Sequence, residues 1–359
     1  MAKLSEEQEM LRDMAQNWVR GESPIGAWRK QRDADTAAGY DSAVYGEMAA
    51  MGWTGITIAE AHGGSDFGWM SLGLVVEECA KTLTASPLVA CAIAARAISL
   101  GGSDEQQAKY LPAIASGELV AALAVDEGPR HDPAAITTKV TGGKITGTKA
   151  FVAEGDSAGL FVVAAADGLY LVENGAGVTK SRRQMVDHRS HAEVCFAGAA
   201  ADKLAGGGDA LLDRVLDHAR ILTAAEMLGM SQQAFDQTLE YLKQRVQFDR
   251  ILASFQALQH RMADLFGDIE LTRSAVEAGL GALDSMGDNG DLGQIAAIAK
   301  ARANDCLHKM SREMVQLHGG IGMTDEFDAG FYLKRARPLE AAWGNSSFLR
   351  DRFARLGGY

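Results

Sequence analysis

Gln316-Leu-His-Gly-Gly-Ile-Gly-Met-Thr324, followed by Phe331-Tyr-Leu-Lys-Arg-Ala336, is the stretch whose reading decides the fold. Glycines at 319, 320 and 322 let a backbone approach an anionic ligand without a Cβ in the way. The Gln316 amide can donate to a phosphate oxygen or accept from a ribose hydroxyl. A segment of this kind closes a helix and opens a ligand contact, so the sequence on either side decides what it serves.

Upstream, from 210, the pattern is helical, with long apolar-periodic segments at 210–243, 254–285, 290–318 and 325–337. The plainest account of these segments is a four-helix bundle whose apolar stripes are core. Before them, from Leu119 to about Ala201, short β-prone runs alternate with turn residues. They are Leu119-Val-Ala-Ala-Leu-Ala-Val125, Thr137-Thr-Lys-Val140, Phe161-Val-Val163, Leu169-Tyr-Leu-Val172 and Glu193-Val-Cys-Phe196, a pattern that predicts a small antiparallel sheet or barrel. Gly206-Gly-Gly-Asp209 reads as a linker. At the start, Leu4, Met10, Leu11, Met14 and Trp18 recur at near-helical spacing behind a Ser5 cap, predicting a helix over 4–20. Further helices are expected at 41–51, 71–101 with a break at Pro87, and 105–116. The fold class is therefore α+β, with an N-terminal helical domain (1–118), a middle β domain (119–205) and a C-terminal helical bundle (206–359).

Composition limits the partners. The chain has 359 residues, enough for a large core, and a formal net charge of -12 that disfavours nucleic acid and anionic membranes. No apolar run approaches the ~18 residues of a membrane span, and the polar opening carries no signal-peptide pattern. Cysteines at 79, 91, 195 and 306 form no CxxC pair, so free thiols are expected rather than a metal site or a disulfide framework. These features predict a cytoplasmic protein.

Three motifs in the last third carry a family resemblance. Tyr241-Leu-Lys-Gln-Arg-Val-Gln-Phe-Asp-Arg-Ile251 resembles the Y-x-x-x-R-x-Q-F-G-R-P-I signature of the acyl-CoA dehydrogenases. Phe255-Gln-Ala-Leu-Gln-His-Arg-Met-Ala-Asp264 resembles the F-Q-A-x-Q-H-x-x-A-D that follows it, and Gln316-Leu-His-Gly-Gly-Ile-Gly322 the flavin-contacting glycine motif. The order of helical, β and helical segments is similar over essentially the whole chain.

The resemblance implies an FAD-dependent α,β-desaturation of an acyl-CoA thioester, with an electron-transferring flavoprotein as acceptor. It implies that Arg245, Gln247, Phe248, Gln316, Gly319 and Gly320 reach FAD held mainly by a neighbouring, homologous subunit. An arginine offers a fixed fork of donors to a pyrophosphate, which suits this role. Arg220 matches an arginine that follows the catalytic glutamate in a minority of members, and is expected to bind substrate.

The family's proton-abstracting glutamate is replaced. In Leu339-Glu-Ala-Ala-Trp-Gly-Asn345 its usual position holds Trp343, and the minority position holds Ala219. Glu226, seven residues after Ala219 on the same predicted helix, is the candidate base, because a carboxylate in an apolar run needs a partner or a purpose. A structural ion pair with an arginine is its bland alternative, and Glu340 is a second candidate. The Gly147-Thr-Lys-Ala-Phe-Val152 turn retains the family's aromatic as Phe151, but a flavin-side hydroxyl gives way to Ala153. These departures resemble heteromeric members that act on bulky CoA thioesters such as steroid side chains. A related flavin monooxygenase and a non-catalytic partner subunit are the alternatives.

Overall fold

The computed structural model describes residues 3–206, 210–286 and 292–359; most of the expected linker at 206–209 lies outside these residues. Six helices come first: α1 (Glu6–Gly21), α2 (Ile25–Ala34), α3 (Ser42–Ala50), α4 (Gly68–Lys81), α5 (Leu88–Gly101) and α6 (Asp104–Ala115). Ser5 caps α1 through a reciprocal pair of bonds with Gln8, and Ser103 does the same for α6 with Gln106. The expected segment 71–101 is two helices: α4 ends at Lys81, before Leu83 at φ +57°, and α5 starts directly behind Pro87. Helix α2 was not foreseen. Its only buried residue is Trp28, so its sequence carries almost no apolar period.

The middle region contains β1 (Ala121–Ala124), β2 (Lys139–Thr141), β3 (Lys144–Ala153), β4 (Leu160–Ala165), β5 (Gly168–Glu173), β6 (Val178–Arg182), β7 (His191–Ala200) and β8 (Asp202–Lys203). They form two four-stranded sheets, ordered β1-β4-β5-β8 and β2-β3-β7-β6. All pairs are antiparallel except β1 with β4. The segment read as a turn at 147–152 lies within strand β3, interrupted by a register shift between Lys149 and Val152 where Phe151 takes a φ of +52°. That irregularity turns Phe151 outward and leads the chain into Glu154, itself at φ +57°.

Helix α7 (Leu211–Gln244) leads through the hairpin β9 (Val246–Gln247) and β10 (Arg250–Ile251) into α8 (Gln256–Ser285), α9 (Gly293–His318), α10 (Ala329–Ala341) and α11 (Ser346–Leu356). Helices α7, α8 and α9 pack on one another, α10 packs on α7 and α9, and α4 lies against α7 and α8. One core therefore runs from Leu11 and Trp28 through Leu160 and Leu171 to Leu228, Met310 and Phe331. A smaller cluster around Phe161, Val194 and Phe196 lies between the two sheets. Among the described residues, no helix is long and apolar enough to cross a membrane.

Candidate active site and cofactor groove

Among the described residues, two places gather the residues singled out from the sequence. The first is an outer groove of about 500 Å³, where Arg245, Gln247, Gln316, Gly319 and Gly320 converge. The end of α9 supplies Gln316, and the chain leaves the helix through Gly319 at φ +64°, a conformation that glycine takes without strain. A Cβ at Gly319 or Gly320 would meet no atom, so both point their missing side chains into open space. The end of α7 and the β9–β10 hairpin supply Arg245 and Gln247. Among the described residues no hydrogen bond or ion pair engages the Arg245 guanidinium, in a chain where most arginines are paired.

His318, which was not singled out from the sequence as a site residue, lines the same groove. It is stacked between Tyr241 and Phe327, with ring centroids 4.2 and 4.3 Å away. Its Nδ1 lies 2.7 Å from the Met314 carbonyl, which fixes that nitrogen as donor, while the buried Nε2 has no partner among the described residues. An unpaired guanidinium, two bare glycines and an orphaned imidazole acceptor suit a phosphate- and hydroxyl-bearing ligand. These are the kinds of group that would hold the phosphates and hydroxyls of a nucleotide such as FAD, the cofactor the motif resemblance implies. Phe248 stands at the hairpin tip, 82% exposed, with its ring 6.2 Å from that of Phe255. It projects from this chain rather than lining the groove.

The second place lies between α4, α5, α7, α10 and the sheets. It consists of two adjoining cavities of about 110 and 200 Å³, which share Leu123, Ala153, His191, Pro338, Ala342 and Trp343. Both are smaller than the roughly 300 Å³ at which ligand pockets usually begin. Trp343 borders both. Its φ of +58° is strained for a bulky residue, and three bonds from neighbouring helices hold the turn around it. Arg220 Nε donates to the Trp343 carbonyl at 3.0 Å, Asn304 Nδ2 to the Gly344 carbonyl at 3.3 Å, and Lys300 Nζ to the Leu339 carbonyl at 2.8 Å.

Arg220 is wholly enclosed. Its Nη1 is 2.6 Å from Asp217 Oδ1, and its Nη2 lies 3.4 Å from His131. The guanidinium thus spends its donors on this chain and lines neither cavity.

Glu226 does line the smaller cavity. Arg335 donates to its Oε1 from both Nε (3.0 Å) and Nη2 (2.7 Å), while Arg335 Nη1 reaches Asp187 at 2.7 Å. Oε2 of Glu226 takes no hydrogen bond among the described residues. Burial by itself would lower the Arg335 pKa, but Glu226 and Asp187 outweigh it and raise it further. Burial would raise Asp187, yet Arg335, His191 and Arg189 hold its carboxyl below the usual range. Glu340, the other candidate base, is engaged by His308 and Arg337 outside these cavities.

Two further charged residues line the smaller cavity, and sequence reasoning missed both. Glu154 follows the irregularity in β3; burial pushes its carboxyl up to about 8 against the pull of Arg189 and Arg335. Arg189 is brought down to about 10 by burial. Its Nη2 donates to the Thr84 carbonyl at 2.6 Å, but its buried Nε has no partner among the described residues. A carboxylate directly after Phe151-Val-Ala153 was the one available signal, an acidic residue ending a β-prone run.

A helical layer, paired sheets and a helical bundle around these cavities define a fold class, and the comparisons name it. Residues 5–118 match the acyl-CoA dehydrogenase N-terminal domain, and residues 206–357 the acyl-CoA dehydrogenase C-terminal domain. The chain is 30% identical to the acyl-CoA dehydrogenase IpdE2 of Mycolicibacterium smegmatis, over 93% of each chain. It is 29% identical to the acyl-CoA dehydrogenase FadE34 of Mycobacterium tuberculosis over 96% of its own length, but spans only 47% of that relative. The solved Tcur3481-Tcur3483 steroid ACAD G363A variant superposes with a TM-score of 0.91 at 28% identity, covering 98% of both chains. The chain belongs to the acyl-CoA dehydrogenase family, which comprises FAD-dependent oxidoreductases that desaturate acyl-CoA thioesters.

Proposed function

We propose that this chain is a subunit of an FAD-dependent acyl-CoA dehydrogenase that works beside a homologous partner, in a hetero- or homo-tetramer. The observation that carries this reading is the outer groove. Arg245, Gln247, Gln316, Gly319 and Gly320 face outward with the Arg245 charge unspent, as expected of a chain that grips cofactor seated largely on its neighbour. Phe248 at the hairpin tip then finds its apolar cover on that neighbour. When bound, FAD supplies the hydride acceptor, and an electron-transferring flavoprotein is the expected reoxidant. Domain bounds at 118 and 205, and a cytoplasmic site suggested by the free cysteines, accompany this reading.

Within this reading Glu226 is the proton acceptor. Arg335 fixes one oxygen and leaves the other for the acyl Cα proton. The likeness to a steroid acyl-CoA dehydrogenase points to a bulky acyl group in lipid or steroid degradation. A second reading has its own support: Trp343 occupies the position of the family's usual base, which favours a partner subunit that completes a homologue's flavin site without doing the chemistry.

The test is an absorption spectrum of the chain purified alone and together with its homologous partner, followed by anaerobic addition of an acyl-CoA. Flavin bands that appear with both chains and bleach with substrate are expected. Absence of flavin from both preparations would overturn the proposal.

A further inference from the structure

The smaller cavity has two unlike walls. Leu88, Ile93, Leu123 and Leu339 form an apolar side, whereas Glu154, Arg189, Glu226 and Arg335 form a charged one. An acyl slot built only for a hydrocarbon tail gains nothing from buried charge, which is costly to desolvate. The charged wall therefore needs an explanation beyond packing.

Its charges nearly balance. Arg335 is spent on Glu226 and Asp187. Arg189 faces the charges of Glu226 and Asp187 through space, and donates through Nη2 to the Thr84 carbonyl. What is left over is donor capacity. In Arg189, only 8% exposed, neither the sealed Nε nor Nη1 donates a hydrogen bond among the described residues, and Nη1 is the one not closed off from the cavity. Among the described residues Glu154, also 8% exposed, takes only a long 3.4 Å bond from Ser157 on its carboxyl. Because burial keeps that carboxyl protonated at neutral pH, it adds an O–H donor to the same wall. A buried donor without a partner is expensive, and a ligand oxygen satisfies it.

We infer that Arg189 and Glu154 form an acceptor-recognition site for a neutral oxygen, a ketone or hydroxyl, carried on the acyl group. The substrate class is then an oxygenated acyl-CoA rather than a plain alkanoyl-CoA. A carboxylate would bring a net negative charge into a cluster already balanced by Asp187 and Glu226, so a neutral oxygen is the better match. The cavity of about 110 Å³ admits on the order of four water-sized groups. It takes the few atoms of the acyl group beside Cα, the oxygen-bearing carbon among them, and not a whole acyl group. This inference rests on the proposal that the chain binds acyl-CoA in its own slot.

The experiment uses the chain purified with its homologous subunit. Equilibrium dialysis compares a straight-chain saturated acyl-CoA, its oxo isomers with the ketone at successive carbons, and the dicarboxylic monothioester of equal length. One or more oxo isomers should bind about 10-fold tighter than the plain chain, as one well-placed hydrogen bond allows. Arg189→Met should erase that advantage, Glu154→Leu should reduce it, and Glu154→Gln, whose amide still donates, should keep it. A plain or dicarboxylic chain that binds as well as every oxo isomer overturns the inference. So does an advantage that survives both Arg189→Met and Glu154→Leu. If no acyl-CoA binds at all, the acyl-CoA reading itself falls, a result distinct from loss of selectivity.

Discussion

Arg220 holds Trp343 by its backbone: Nε of a fully buried guanidinium on α7 donates to the carbonyl of a residue in the left-handed region. The same guanidinium neutralises Asp217, and Arg352 approaches that carboxylate from α11 at 3.1 Å. The turn that sets the boundary between the two cavities is thereby fastened to the centre of the bundle.

Arg220→Met is expected to destabilise the chain by about 3 kcal/mol, the lower end for removing one member of a buried pair, since Arg352 still serves Asp217. Urea unfolding measures it. A loss under about 1 kcal/mol would show that the pair contributes little to the fold.

Removal of the groove cation should leave the fold alone and weaken cofactor retention. Arg245→Ala deletes a charge without an internal partner, so the melting temperature of the chain should barely move. Flavin dissociation from the assembled enzyme should rise about 10- to 100-fold, the range for a charge-assisted hydrogen bond. Fluorescence of released flavin reads this directly, and an unchanged dissociation constant would remove Arg245 from the cofactor site.

Glu226→Gln in the assembled enzyme should lower turnover by about 10²-fold or more, as expected for a general base. The Asp187 bond still holds Arg335, so the protein should fold. Full turnover would assign proton abstraction to the partner chain.

Stability should follow two opposed titrations. The Glu154 carboxyl rises from 4.5 to about 8 on folding, so between those values the folded chain holds more protons than the unfolded one. Stability therefore falls as pH rises through that window. Burial lowers the Lys300 ammonium from 10.5 to about 7, so the folded chain holds fewer protons between those values and stability rises with pH there. Glu154→Gln should flatten the first slope and Lys300→Met the second, in denaturation midpoints measured from pH 5 to 10. Slopes unchanged by the substitutions would contradict both assignments.

Elements with strong local signals were legible in the sequence. The Ser5 cap and the apolar spacing behind it place α1, Pro87 separates α4 from α5, and the β-prone runs mark strands β1, β4, β5 and β7. Helix α11 was missed because its cap, Asn345, closes the stretch read for the absent base; only that cap, accepting from the Phe348 amide, announces it. The groove residues could be named because they sit inside motifs. The charged wall could not, because it is assembled from distant parts of the chain. Arg335 meets Glu226 from 109 positions away and Asp187 from 148. Arg335 lies in the Phe331–Ala336 stretch, but no local pattern says which carboxylates it will meet.

Trp343 has a practical consequence as well as a steric one. The other four tryptophans, at 18, 28, 53 and 69, belong to the N-terminal helices or the loop between them and border neither cavity. An indole beside both cavities is a built-in fluorophore for whatever enters them. Its emission would follow an arriving acyl group in real time, without a label, and replacing Trp343 alone would silence that signal.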